Sequence, residues 1–147
     1  MGKQEKIAQV TKLQGELLRE YCVGHPEWYA EMLACAFLDG QMAPTNTPNH
    51  DVVCKLFGRV QVKCRVDGTD TTQNRTNFGK YKTTDFDHAV IVIFESDYRI
   101  KGAVILPSPD VLGLVRPAGH VKWQDVKSHT NARCIKVQLQ EISGELT

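Results

Sequence analysis

The residues best suited to chemistry are Asp51, which follows Asn49 and His50, and the triplet Gln61-Val62-Lys63, which begins ten positions downstream. A carboxylate, a second oxygen donor and a lysine are what metal-dependent phosphodiester hydrolysis requires. The two oxygens hold a divalent cation, while the lysine orients or activates water and offsets the charge that develops at phosphorus. Gln61 and Lys63 are two residues apart, so on a strand they share a face.

The elements around them are readable from periodicity. Residues 59–66 alternate without a break, with Val60, Val62, Cys64 and Val66 on one face and Arg59, Gln61, Lys63 and Arg65 on the other. This is the pattern of a strand with one core face. Residues 51–56 form a preceding strand, joined to it around Phe57-Gly58 as a hairpin. A two-residue loop there would set Asp51 opposite Cys64, on the wrong face. An odd-length loop, a bulge or a bend is therefore required if Asp51 is to meet Gln61 and Lys63.

Upstream, Ile7, Val10, Leu13 or Leu17, and Leu18 recur at helical spacing across residues 3–21. A second helix opens at Pro26 and runs through Trp28, Met32, Leu33, Ala36 and Phe37 to a stop at Asp39-Gly40. Residues 43–49 read as a loop, and residues 67–84, polar and rich in Gly, Asn and Thr, as a longer one. Residues 89–94 are continuously apolar and β-branched, which predicts a central strand buried on both faces. A strand over 99–106 follows, then a short helix with Ser108 as cap and Pro109 in its first turn. Alternation over 134–139 predicts a last strand.

A chain of 147 residues fits one domain, and 41% hydrophobic with 24% charged residues is an ordinary globular composition. The run 89–94 is far too short to span a bilayer, and the opening MGKQEKIAQ lacks the apolar stretch of a signal peptide, so an intracellular, cytoplasmic protein without a membrane partner is expected. Five cysteines without CxxC spacing suggest reduced thiols. The net charge of +1 argues against coating nucleic acid by charge alone. Residues 55–82, however, carry seven basic side chains against two acidic ones, a net +5 that leaves −4 for the remainder. Such a concentration is either a footprint for phosphates or a solvated face.

His50-Asp51 with Arg59-Val60-Gln61-Val62-Lys63-Cys64-Arg65 resembles the PD-(D/E)xK nuclease superfamily. The likeness is closest to its Mrr-type restriction endonucleases, in which glutamine often replaces the glutamate. It extends outward to Ala30-Glu31-Met32-Leu33-Ala34, which is similar to the acidic helix before the site, and to Asp85-Phe86-Asp87 leading into the apolar strand. The resemblance implies an α/β, restriction-endonuclease-like mixed β-sheet flanked by helices over residues 26–147, with an N-terminal helical arm over 1–25. It implies magnesium as cofactor, with manganese as a substitute. Asp51 would be a direct metal ligand, Lys63 the catalytic lysine, and Gln61 and the Val62 carbonyl further ligands. A neutral amide is a poorer ligand for a hard cation than a carboxylate. Glu31 would supply the missing charge if its helix lies beside the site.

The implied function is magnesium-dependent DNA cleavage, with Arg59, Arg65, Arg75 and Lys80 as phosphate contacts. A chain this short leaves little room for a target-recognition domain, so the core reads DNA itself or a partner protein supplies specificity; duplex cleavage favours a homodimer. Two alternatives stand beside this: a structure-selective junction resolvase, and a non-cleaving nucleic-acid-binding or interaction module that lost metal affinity through Gln61. His50 reads more simply as a turn residue, and Trp28 and Trp123 as core or rim. His120, His129 and Cys134 lack the spacing of a zinc site.

Overall fold

A computed structural model describes residues 2–44, 51–67, 75–77 and 85–146. Helices α1 (Lys3–Tyr21) and α2 (Pro26–Leu38) lead into strands β1 (Gln41–Met42), β2 (Val52–Cys54), β3 (Gly58–Val66), β4 (Arg75–Asn77), β5 (His88–Phe94) and β6 (Ile100–Pro107). Helix α3 (Ser108–Gly113), strand β7 (His120–Lys122), helix α4 (Trp123–Lys127), strand β8 (Arg133–Cys134) and helix α5 (Lys136–Ser143) complete the chain. Six strands form one mixed sheet in the order β1-β2-β3-β5-β6-β8, and β4 pairs with β7 separately. Only β3 and β5 run parallel in the six-stranded sheet. The fold class is therefore α/β, a mixed sheet flanked by helices.

Strand β5 is buried from Ala89 to Phe94, as its unbroken apolar run demands. Val90, Val92 and Phe94 face a core shared with α1, α2 and α5, whereas Ala89, Ile91 and Ile93 face a second core with Val111 of α3, Val121 of β7 and Val126 of α4. The predicted strand over 134–139 is instead the two-residue β8 followed by α5. Ile135 and Leu139 are buried one helical turn apart, while Val137 between them is 53% exposed. Burial at i and i+4 is the helical period, and Gly144, left-handed at φ 82°, closes that helix.

Within the long loop 67–84, Arg75–Asn77 forms β4 against β7, a departure from the loop expectation. Helix α3 begins at Ser108 with Pro107 at the cap position, one residue earlier than predicted. Helix α1 has the predicted bounds but turns a different side inward. Thr11, Gly15 and Leu18 are buried, and Val10, Leu13 and Leu17 are exposed. The helix approaches closely at Gly15, where a side chain would collide with the Tyr29 hydroxyl and the Arg19 guanidinium. Arg19 secures it by donating to the Tyr29 hydroxyl at 3.3 Å and to the Ser143 carbonyl at 3.0 Å. Tyr29 in turn stacks on Phe94, 5.5 Å between ring centroids.

Leu18 thus belongs to the main core. Leu18→Ala should lower the stability of the whole chain by about 2–5 kcal/mol in one cooperative transition, as large-to-small core replacements do. Chemical denaturation followed by circular dichroism checks this; a separate early transition of α1 with the main transition unmoved would contradict it.

Candidate metal and phosphodiester site

The site is built where β2 begins. Three residues, Lys55, Leu56 and Phe57, join β2 to β3, since Cys54 pairs with Gly58, Val53 with Arg59 and Val52 with Val60. The connection is odd in length, as an approach of Asp51 to the face of Gln61 and Lys63 would require. Gly58 sits at φ 73°, and a side chain on it would collide with Asp87, so glycine alone suits the end of this turn. Continuing the register by one residue sets Asp51 across from Gln61, and the Asp51 amide donates to the Val60 carbonyl at 2.8 Å.

Strand β3 runs on past the end of β2. There the Asp51 carboxylate takes the place of the next strand residue, its Oδ2 accepting the Val62 amide at 2.8 Å. The N–H and C=O of one residue leave a strand on the same side, so the Val62 carbonyl points along this edge too. Val60 and Val62 are buried in the core beneath α2, which puts Gln61, Lys63 and Arg65 on the opposite face of β3.

Helix α2 brings Glu31 to the same edge from the core side. The Glu31 carboxyl lies within hydrogen-bonding reach of Asp51, and its pKa is pushed up to about 7. Burial is the largest cause, followed by the Asp51 charge, that hydrogen bond and the Glu27 charge; the Lys63 ammonium is near enough to oppose the shift. Two carboxyl groups in contact cannot both ionise cheaply, so they share a proton unless a cation stands between them. The Cys64 thiol is pushed up to about 12 by burial and by Glu27 and Glu31, so it offers no thiolate at neutral pH.

The Gln61 Oε1 is buried and has no hydrogen-bond partner among the described residues. An amide oxygen in that state is a ready acceptor for a hard cation. The donors that could suit magnesium are all oxygen: the Asp51 and Glu31 carboxyl groups and the Val62 carbonyl at the strand edge, and the Gln61 amide oxygen on the face of β3 away from α2. Among the described residues no group of three or more His, Cys, Asp or Glu side chains gathers as a metal cluster.

The sequence-predicted residues are thus distributed unevenly. Asp51 is joined to Val62 and to Glu31, the Lys63 charge acts on Glu31, and Gln61 is placed with Lys63 on the face of β3 away from α2. Arg65 lies half-buried on the same face as Gln61 and Lys63. Arg59 is engaged by Asp87, whose Oδ2 accepts its backbone amide at 2.8 Å and lies 3.4 Å from its Nε. Those hydrogen bonds hold the exposed Asp87 carboxyl below its ordinary range. The Arg75 backbone pairs with Lys122 in the β4–β7 ribbon. Lys80 and His50 lie outside the described residues. His129 accepts the Asn131 amide on Nδ1 at 3.0 Å and faces Asp110 at 3.8 Å.

Glu27 is the contributor that the sequence reading missed. It stands one helical turn before Glu31, and an acidic residue at i−4 was the available signal. Known protein-family models contain no match to this chain, and no curated protein matches it significantly.

Because the Glu31 pKa is raised in the folded state, the stability linked to its protonated form is fully present below about pH 4.5 and is lost as pH rises through about 7. Glu31→Gln, which keeps the uncharged shape, should raise the melting temperature over the parent at pH 8 and change it little at pH 5. Thermal denaturation at the two pH values decides this, and an equal shift at both would contradict the assignment.

Proposed function

We propose that the chain is a magnesium-dependent DNA endonuclease on a restriction-endonuclease-like domain, cleaving phosphodiester bonds at the open end of β3. The observation that carries this reading is the Asp51 carboxylate, clasped to the Val62 amide and in contact with Glu31. Asp51, Gln61, Glu31 and the Val62 carbonyl would hold the cation. When bound, magnesium would polarise the scissile phosphate and neutralise its charge.

The chain's own residues do the rest. The Val62 amide fixes the Asp51 carboxylate in the plane of the sheet, so one ligand is oriented before any cation arrives. Lys63 projects from the same strand, two residues from Gln61, and presents an ammonium to the phosphate. As the oxygen of water bonds to phosphorus and the bond to the leaving oxygen breaks, negative charge gathers on the phosphoryl oxygens, and Lys63 stabilises it. Basic residues 55–82 would engage the DNA backbone, Arg59 exchanging its Asp87 partner for phosphate. Cutting both strands of a duplex would take two such sites, and hence a second copy of the chain.

Lys63 stands on the polar face of β3, with Val60 and Val62 packed behind it. Lys63→Ala should therefore keep the fold and lower magnesium-dependent nicking of supercoiled plasmid by on the order of 100-fold or more, the scale of a group aimed at transition-state charge. Gln61→Glu should tighten magnesium binding and preserve or raise nicking. Absence of magnesium-dependent nicking in the parent and in Gln61→Glu, with weaker DNA binding in the latter, would replace the nuclease by a non-cleaving binding module.

A further inference from the structure

At the other edge of the sheet a cavity of about 280 Å³ opens between β6, α4 and the start of α5. Its apolar wall is Val104, Trp123 and Ala132, and its charged groups are Lys101, Lys127 and Lys136. The indole is seated by design of the backbone: a Cβ on Gly102 would stand 2.5 Å from the six-membered ring, so glycine is what lets the ring lie on β6. Trp123 also packs on the second core, which holds the ring in place while it lines the cavity.

We propose that this cavity binds a nucleotide, its base stacked on Trp123 and its phosphate held by Lys127 and Lys136. A flat apolar wall suits a base, because every base has a π-face and stacking on an aromatic side chain is worth about 1–3 kcal/mol. Ammonium groups beside that wall suit the phosphate. Lys101 is already paired with Asp67 at 2.5 Å, so Lys127 and Lys136 carry the anion. No described carboxylate lines the cavity to compete with it.

The position is distinct from the phosphodiester site but related to it. One ladder row runs Lys63, Ile91, Val104, Cys134. Lys63 and Val104 are therefore two strands apart on one sheet face, about 10 Å between Cα atoms at ordinary strand spacing. The ligand is either a free mononucleotide or an unpaired nucleotide of a bound strand.

The chain has two tryptophans, and Trp28 is 55% exposed, so Trp28→Phe leaves Trp123 as sole indole reporter without disturbing the core. In this protein, held in chelator so that no strand is cut, Trp123 fluorescence is titrated with deoxyadenosine monophosphate and, separately, with a short oligothymidylate. Quenching by either, weakened tenfold or more in Lys127→Ala/Lys136→Ala, is the expected result. Quenching by the mononucleotide identifies a free-nucleotide pocket, and quenching by the oligonucleotide alone identifies a strand subsite. Chelation separates this from the nuclease reading, which the binding does not require. No quenching by either ligand at millimolar concentration, or quenching unchanged in the lysine variant, overturns the proposal.

Discussion

The candidate site depends on where β2 starts. Because Val52 is its first residue and sits opposite Val60, β3 continues past it with an edge that the sheet does not pair on that side. Asp51 fills the first place on that edge twice over, donating its own amide to Val60 and accepting the Val62 amide on its carboxylate. Side chains alternate every residue along a strand, so a turn one residue longer or shorter would exchange the faces of β2 relative to β3. On the proposed function, the three-residue connection ending at Gly58 would set the site as well as the sheet.

A second constraint follows from charge. Helix α2 sets Glu27 and Glu31 over the same end of β3, one turn apart, and Glu31 touches Asp51. Gathering carboxyl groups in a half-buried place opposes folding, and the raised Glu31 pKa measures that opposition. The surrounding structure absorbs it: α2 is anchored at its other face by Tyr29, Leu33 and Leu38 in the main core, and Tyr29 is tied to Arg19 and Phe94. Charge held in this way by a well-packed helix occurs at functional sites and in structural ion networks alike. Within the nuclease reading, it also compensates for Gln61, a neutral residue where the resembled family more often has an acid.

Much of the scaffold was legible because its periods are strong. The alternation of residues 59–66 and the apolar run of 89–94 could only be strands, and Pro26 and Asp39-Gly40 punctuate α2 as helix signals should. The site was legible to the extent that one strand carries it: Gln61 and Lys63 share a face by spacing alone, and the need for an odd-length turn followed from Asp51. What brings Glu31 to Asp51 is packing between distant segments, which local spacing does not encode.

The misses have equally physical reasons. Ile135, Val137 and Leu139 fit alternation as well as they fit a helix, and Gly144 beyond them was the neglected stop signal. Helix α1 has two apolar stripes, and close approach at Gly15 favours the one with smaller side chains, Thr11 and Gly15 beside Leu18, over Val10, Leu13 and Leu17. Strands β4 and β7 are three residues long and polar, too short for any period to show.

On the proposed function, Asp51, fixed by Val62, is a ligand of a divalent cation. Calorimetric titration of manganese chloride into chelator-stripped protein at pH 8 tests it most directly, since manganese accepts the same oxygen donors and binds at least as well as magnesium at such sites. One saturable site that Asp51→Asn abolishes and Lys63→Ala retains is the expected result. Absence of saturable binding in the parent, or equal binding in Asp51→Asn, would contradict it.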